Sequence, residues 1–240
     1  MNLPDVLQRA DIWRGGEAPS VPGVSSGFVA LDALLPGGGF PLGALTEILT
    51  PRFGIGELRL VLSAVARLTR ERWLALIAPP YVPYAPALAR AGVDLAHVLV
   101  VHAHGPRDVL WSLEQALRAG TCGAVLAWPT QPDFTAWRRL QLAAEAGATL
   151  GMLFMSSRHA AAASPAALRL RLETQPDGLA VQVVKRRGSW PTGPISLDWS
   201  TLRQGCRLLR GVKGSSLNVV AMSRSSPSCA RDLHARMQCA

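Results

Sequence analysis

Short apolar runs alternate with segments of helical periodicity from residue 45 to residue 155, and this alternation strongly constrains the fold. It is typical of βαβ units, in which helices cover both faces of a largely parallel sheet. The predicted strands are Leu45–Leu49, Trp73–Ala78, His97–Ala103, Ala124–Trp128 and Thr149–Met155. The helical patterns between them are Glu57–Arg70, Pro83–Ala91, Pro106–Ala119 and Asp133–Ala146. The sequence therefore predicts an α/β domain with a mostly parallel central sheet flanked by helices.

The last of these helical patterns carries residues that mark both of its ends. Asp133 is placed to cap the start, where a carboxylate can accept hydrogen bonds from free backbone N–H groups. Gly147 is placed to cap the end, where glycine adopts a left-handed conformation at little cost.

The periodicity changes to two near Leu168, where leucines alternate with charged residues. Turn-forming residues at Pro176-Asp177-Gly178 then precede a second apolar run, Leu179–Arg186. This pattern predicts a β-hairpin that closes the C-terminal side of the sheet, with Ile195–Trp199 as a candidate edge strand.

The net charge of +9 is concentrated at the C-terminal end of the chain. Residues 201–240 hold seven arginines and lysines against one aspartate, and periodicity is lost beyond about Gly205. This composition predicts a disordered basic tail that either binds phosphate weakly and without sequence preference or is simply solvated. The expected organisation is an N-terminal helical arm and linker at 1–23, an α/β domain at 24–204 and the tail at 205–240.

Neither a membrane span nor a secretion signal is recognisable in the sequence. No run of about 18 uncharged apolar residues occurs, and the first residues lack the basic-then-apolar order of a signal peptide. We therefore expect a cytoplasmic protein without membrane contact. The cysteines are widely scattered, with no spacing that suggests a metal site; they are Cys122, Cys206, Cys229 and Cys239.

The turn after the first predicted strand is where an α/β sheet is expected to bind a ligand. A phosphate-binding loop there needs glycines for close approach, a lysine that reaches the β- and γ-phosphates, and a hydroxyl that holds Mg²⁺. In this chain, Glu57 stands in the position of the lysine and Leu58 in that of the hydroxyl. The predicted loop is therefore degenerate and holds no cofactor; its residues are Thr50, Pro51, Gly54, Gly56, Glu57 and Leu58.

The segment VSSGFVALDALLPGGGFPLGALTEIL resembles the stretch that leads into the nucleotide loop of RecA recombinases. The resemblance implies a RecA-like fold. It places the catalytic glutamate of that family at Pro80 and the Walker-B aspartate at Trp128. Together with Glu57, these residues imply that the chain has no catalytic residues and is not an enzyme.

Among degenerate RecA relatives, the pattern resembles the ImuA family. The shared features are an N-terminal helix with Ile12-Trp13-Arg14, the LPGGGFPLGALTEIL segment, the unfilled loop and a late KRRG element. This resemblance implies a non-catalytic accessory protein of SOS-induced translesion DNA synthesis. The implied partners are a Y-family-like polymerase homologue and an error-prone replicative-type polymerase, with RecA as a further candidate.

The late segment VVKRRGSWPTGP is similar to the basic turn near the end of RecA-type domains. Its charged and aromatic side chains suit weak, non-specific contact with single-stranded DNA or contact with a protein partner. The alternative is a solvated hairpin end. The candidate contact residues are Trp13, Lys185, Arg186, Arg187 and Trp190.

A second resemblance gives an alternative function. The stretch from RWLALIAP through AGTCGAVLAWP to LGMLFM is similar to SulA-type inhibitors of cell division, which implies binding to the tubulin-like division GTPase. Those inhibitors lack the LPGGGFPLG segment. An active recombinase ATPase, the third class, would require the missing lysine, glutamate and aspartate.

Overall fold

The computed structural model describes residues 22–103, 105–130, 133–186, 193–204 and 218–221. The strands in this part of the chain are β1 (Gly23–Val24), β2 (Phe40–Pro41), β3 (Ala44–Thr50), β4 (Trp73–Ile77), β5 (Val98–His102), β6 (Cys122–Ala127), β7 (Leu150–Ser156), β8 (Leu168–Gln175), β9 (Gly178–Arg186), β10 (Ile195–Asp198) and β11 (Asn218–Ala221). The α-helices are α1 (Val29–Asp32), α2 (Glu57–Leu68), α3 (Ala85–Arg90), α4 (Pro106–Arg118), α5 (Phe134–Gly147) and α6 (Trp199–Gln204). Short 3₁₀ turns lie at Pro36–Gly38, Leu95–His97 and Ser157–His159.

Nine of these strands form one sheet in the order β10-β9-β8-β3-β7-β6-β4-β5-β11. All neighbours from β8 to β11 pair in parallel, whereas β9 and β10 are added antiparallel at one edge. Strands β1 and β2 form a separate antiparallel pair. The mixed α/β class with a mostly parallel central sheet flanked by helices is thereby confirmed.

Both faces of the central strands are buried, which explains why the strands are continuous apolar runs. Alternate residues of β3 point to opposite sides: Ile48 belongs to the core beneath α2 and α3, and Leu49 to the core beneath α4 and α5. Both side chains have no exposed surface. A parallel sheet covered on both sides requires this pattern.

The ends of α5 show one expected cap and one unexpected arrangement. The Asp133 carboxylate accepts a hydrogen bond of 2.7 Å from the Ala136 backbone N–H, which confirms the predicted start. The prediction that Gly147 is the left-handed cap is wrong, because Gly147 is the last helical residue and Ala148 has the positive φ, 46°. Glycine is needed at 147 for space, since a Cβ atom there would lie 2.0 Å from the Leu117 carbonyl oxygen of α4.

The two predicted flanking segments lie mostly outside the described residues. Of the arm and linker, only residues 22–23 are described; of the tail, only Asn218–Ala221. These four tail residues pair with β5 as an edge strand. In the described part of the chain, no helix has the length and apolar character needed to cross a membrane.

Candidate functional site

The turn between β3 and α2, which we call the Gly54 loop (residues 51–56), is built on two glycines in left-handed conformations. Gly54 has φ 86° and Gly56 has φ 101°. A residue with a side chain is strained at such angles, so glycine is favoured at both positions. The loop reverses the chain after Thr50, whose Oγ1 donates a hydrogen bond of 2.6 Å to the Arg52 carbonyl, and it delivers Glu57 to the start of α2.

Glu57 folds back into the Gly54 loop. Its Oε1 atom accepts a hydrogen bond of 2.8 Å from the Gly54 backbone N–H, and the residue is only 4% exposed. A negative group is favoured at a helix N-terminus, where free N–H groups and the helix dipole attract anions. The Glu57 carboxyl group therefore occupies a backbone N–H donor that would otherwise be available to a phosphate group.

Two aromatic side chains cover the same loop from outside. A Cβ atom on Gly56 would lie 3.1 Å from the Trp199 ring, and one on Gly54 would lie 3.5 Å from the Tyr81 ring. The Arg59 guanidinium lies 5.5 Å from the centre of the Trp199 ring, in cation–π contact. These contacts bring the Trp199 and Tyr81 rings close to the two glycines of the loop.

A cavity of about 650 Å³ opens beside the loop at the carboxyl ends of β3, β4 and β6. Its lining includes Glu57 and Leu58 from α2, Pro80 from the segment after β4, and Trp128 directly after β6. The positions at which the sequence analysis located the missing chemistry thus surround one cavity. Of the predicted loop residues, Gly54 and Gly56 also line it, whereas Thr50 and Pro51 do not.

The lining of the cavity is mostly apolar, and it also includes the charged residues Glu57, Arg59 and Arg90. Its walls carry six leucines, Leu58, Leu62, Leu74, Leu76, Leu88 and Leu126. Trp128, 9% exposed, stacks on Phe154 with ring centres 4.9 Å apart, yet its Nε1–H has no partner within the described residues. The second oxygen of Glu57, Oε2, is likewise unpaired there. Each buried polar group without a partner costs about 1–3 kcal/mol.

The mouth of the cavity is formed by an exposed segment that the sequence analysis did not single out. Tyr81 and Tyr84 are each 65% exposed and Val82 is 87% exposed, although all three are large side chains. The sequence signal was available, since APPYVPYAP combines tyrosines and prolines without the periodicity of a buried helix.

The basic candidates lie apart from this cavity. Lys185 Nζ donates a hydrogen bond of 2.6 Å to the Ser164 carbonyl, and Arg186 donates one to the Leu34 carbonyl. Both side chains therefore bind the chain's own backbone. Arg187, Trp190 and Trp13 lie outside the described residues.

Neither a reactive thiol nor a metal site is found in the described part of the chain. Burial raises the pKa of the Cys122 thiol to about 12, so it stays protonated and unreactive at neutral pH. Within the same residues, no group of three or more histidine, cysteine, aspartate or glutamate side chains is placed to hold a metal ion.

Comparison with known proteins shows which sequences this chain resembles. The family model described as cell division inhibitor SulA matches residues 54–151, a segment that contains every residue lining the cavity. The protein ImuA of Caulobacter vibrioides is 32% identical over 147 residues, which cover 58% of this chain and 59% of ImuA. Over this segment the chain is similar to ImuA.

RecA and SulA sequences match as well. The chain is 34% identical to RecA of Chlorobaculum parvum over 107 residues, or 44% of this chain and 30% of that protein. It is 34% identical to the cell division inhibitor SulA of Edwardsiella piscicida over 102 residues, or 41% of this chain and 60% of that protein. The resemblance to ImuA, with SulA as a close relative, is confirmed, and the aligned region spans about three fifths of the ImuA and SulA sequences.

Proposed function

We propose that this protein is a non-catalytic accessory factor of SOS-induced translesion DNA synthesis, which acts through protein contacts in an error-prone polymerase complex. Similarity to ImuA supports the biological setting, and similarity to RecA supports a RecA-like fold. The proposed partners are a Y-family-like polymerase homologue, an error-prone replicative-type polymerase and RecA. Such a role places the protein in the cytoplasm, near DNA.

The hydrogen bond from Gly54 N–H to Glu57 is the observation that carries the non-catalytic part of this proposal. Phosphoryl transfer from a nucleotide depends on cations around the phosphates and on a carboxylate that orients the nucleophile. At the corresponding cavity, the chain offers a carboxyl group in place of the lysine, and Pro80 and Trp128 in place of carboxylates. Without catalysis, the protein acts by binding. It can shift a partner between two conformational states only as far as it binds one of those states more tightly than the other.

Mg²⁺–ATP is expected not to bind at micromolar concentrations. The Glu57 carboxyl already occupies a loop donor, and within the described residues no lysine lines the cavity to hold the β- and γ-phosphates. Isothermal titration calorimetry on the full chain, with an active RecA protein as the positive control, measures this directly. Saturable heat at micromolar ATP would contradict the non-catalytic assignment.

The match to the SulA family model favours a second candidate function, inhibition of cell division through the tubulin-like division GTPase. We expect deletion of the gene to lower damage-induced mutation frequency, whereas overproduction of the full chain leaves cell length unchanged. Mutation frequency after ultraviolet irradiation and cell length by microscopy are the two measurements. Filamentous cells, together with normal mutagenesis in the deletion strain, would favour the SulA-like function instead.

A further inference from the structure

We propose that the cavity beside the Gly54 loop, together with its exposed mouth, is a docking site for an acidic, apolar segment of a partner protein. Leucine or phenylalanine side chains of that segment would enter the cavity, and the carboxylates beside them would pair with Arg59 and Arg90. The inference rests on the proposed function only in that the protein acts through contacts.

The exposed charges at the opening of the cavity are positive. Arg59 of α2 and Arg90 of α3 are exposed residues of its lining. Arg52, which belongs to the Gly54 loop, is exposed as well. Within the described residues, neither lining arginine forms an ion pair with a carboxylate. A partner that approaches this opening therefore meets cationic groups that it can neutralise.

Two carboxylates next to the cavity are already bound by the chain's own groups. Glu57 belongs to the lining, but it is only 4% exposed and accepts a hydrogen bond from the Gly54 N–H. The carboxylate of Asp198 accepts hydrogen bonds of 2.6 Å from Ser200 Oγ and from the Thr201 N–H, and this residue does not line the cavity. Charge complementarity at the opening therefore favours a partner that brings its own carboxylates.

The interior and the mouth of the cavity suit hydrocarbon side chains. The volume of about 650 Å³ is typical of ligand sites, and six leucines line the walls. At the mouth, Val82 is 87% exposed, and Tyr81 and Tyr84 are each 65% exposed. Covering these groups removes apolar surface from water, which supplies most of the affinity. Exposed ion pairs contribute less to affinity and mainly select the partner.

The same surface favours a protein segment over a small metabolite or a nucleic acid. A small molecule enclosed in the cavity would leave Tyr81, Val82 and Tyr84 uncovered, whereas an extended segment crosses them. Phosphates could pair with the arginines, and bases could stack on the tyrosines. However, walls of leucine offer no partners to the polar edge of a base, and burying that edge unpaired is costly.

The test is fluorescence anisotropy of a fluorescein-labelled peptide, Asp-Leu-Phe-Asp-Leu, titrated with the full chain. Peptides with asparagine or lysine in place of both aspartates carry the same label. We expect saturable binding of the acidic peptide at low ionic strength, binding of the asparagine peptide about tenfold weaker, and none of the lysine peptide. Raising the ionic strength from about 0.01 M to about 1 M should remove the difference between the acidic and asparagine peptides, because salt screens exposed charges.

Variants of the two arginines connect this preference to the cavity. The double variant Arg59→Gln, Arg90→Gln should weaken binding of the acidic peptide about tenfold and leave the asparagine peptide unaffected. Arg67→Gln is the matched control, since Arg67 is exposed on the same helix as Arg59 but does not line the cavity. The double variant Arg59→Glu, Arg90→Glu should bind the lysine peptide instead, a reversal that a merely structural role of the arginines would not produce.

A variant at the mouth tests the apolar contact. Val82→Ser should weaken binding of the acidic and asparagine peptides alike by several-fold, because the contact that it removes is independent of charge. Val29→Ser is the matched control: Val29 is also 87% exposed, but it lies on α1 outside the lining, and its replacement should leave binding unchanged.

Three results with the peptides would overturn the inference. They are the absence of saturable binding of the acidic peptide up to millimolar protein, equal binding of the acidic and lysine peptides, and binding that Arg59→Gln, Arg90→Gln and Val82→Ser leave unchanged. The deletion strain tests the proposed function separately, because its mutation frequency does not depend on which surface makes the contact.

Two further results would assign the surface to another occupant and would also overturn the inference. One is a single-stranded oligothymidylate that displaces the acidic peptide and loses its own binding in both Arg59→Gln, Arg90→Gln and Val82→Ser. The other is a dimer of the full chain in sedimentation velocity that Val82→Ser dissociates and Val29→Ser does not. We expect neither competition by the oligonucleotide nor a dimer that depends on Val82.

Discussion

Replacement of Arg169 by methionine is expected to lower the free energy of unfolding by about 3–5 kcal/mol. Arg169 in β8 lies beside Glu47 in β3, and Nε of the arginine is 2.5 Å from Oε2 of the glutamate. The side chains are 8% and 2% exposed, so the substitution leaves a buried carboxylate without its cation. Urea denaturation at neutral pH, monitored by circular dichroism, gives the difference directly.

The same strand supplies a matched control. Arg171 pairs with Glu173 at 3.0 Å, but both side chains are about half exposed, and solvent screens the pair. Arg171→Met should therefore change stability by no more than about 1 kcal/mol. The double variant Glu47→Leu, Arg169→Met should recover much of the loss, because no buried charge remains unpaired. A loss below about 1 kcal/mol for Arg169→Met alone would contradict this account.

Arg169 also shows where a periodic pattern stops being informative. The alternation of leucines and charges in 168–173 indicates which leucines are buried, and Leu168, Leu170 and Leu172 have no exposed surface. The same alternation places Arg169 on the opposite face of the sheet, but it does not indicate which residues cover that face. The guanidinium donates to the carbonyls of His159, Ala160 and Ala162, so the connection between β7 and β8 packs over it. The path that this connection takes over the sheet has no periodic signature in the sequence.

The central elements were predictable because each is fixed by local periodicity. Predicted Leu45–Leu49 is observed as Ala44–Thr50, and predicted Pro106–Ala119 as Pro106–Arg118. The order of strands and the edge strand Asn218–Ala221 were not predictable. Pairing partners depend on side chains far apart in the chain, and four residues in a basic, serine-rich segment give too weak a periodic signal.

Part of the candidate site was predictable because loop chemistry is local. The glycines, Glu57 and Leu58 were identified from the spacing that a phosphate loop requires, and Pro80 and Trp128 from the RecA resemblance. The unpaired atoms Glu57 Oε2 and Trp128 Nε1 could not be predicted, since pairing depends on the side chains that three separate strands bring together. The exposed tyrosines at the mouth carry no periodic signal at all.

The segment that resembles RecA keeps a structural role that needs no nucleotide. The Asp32 carboxylate accepts hydrogen bonds from the Ser25 and Ser26 hydroxyls, both 2.6 Å, and from the Ser26 backbone N–H at 2.8 Å. Gly27, at φ 87°, approaches Ser63 of α2 so closely that a Cβ atom would lie 2.4 Å from its Oγ. This cluster fixes the segment before β2 and β3 through contacts within the protein alone.

Substitutions at Gly147 and Ala148 are expected to have effects of opposite sign. Gly147→Ala should lower the free energy of unfolding by about 3 kcal/mol, because the added Cβ atom would lie 2.0 Å from the Leu117 backbone carbonyl and force α4 and α5 apart. Ala148→Gly should raise it by about 1 kcal/mol, since Ala148 is held at φ 46°, a left-handed conformation that glycine adopts without strain. Chemical denaturation of both variants measures the two effects.

A substitution at a third glycine measures how much an added methyl group changes stability where it is not crowded. Gly193→Ala is the control, because an added Cβ atom there meets no described residue within 4 Å and its φ is not left-handed, so stability should change by less than about 0.5 kcal/mol. If Gly147 were instead the left-handed cap, Ala148→Gly would bring no gain. Destabilisation by Ala148→Gly would therefore contradict the observed end of α5, and a neutral Gly147→Ala would contradict the close approach of α4. The opposite signs distinguish glycine retained for space from glycine retained for backbone conformation, two roles that the sequence alone does not separate.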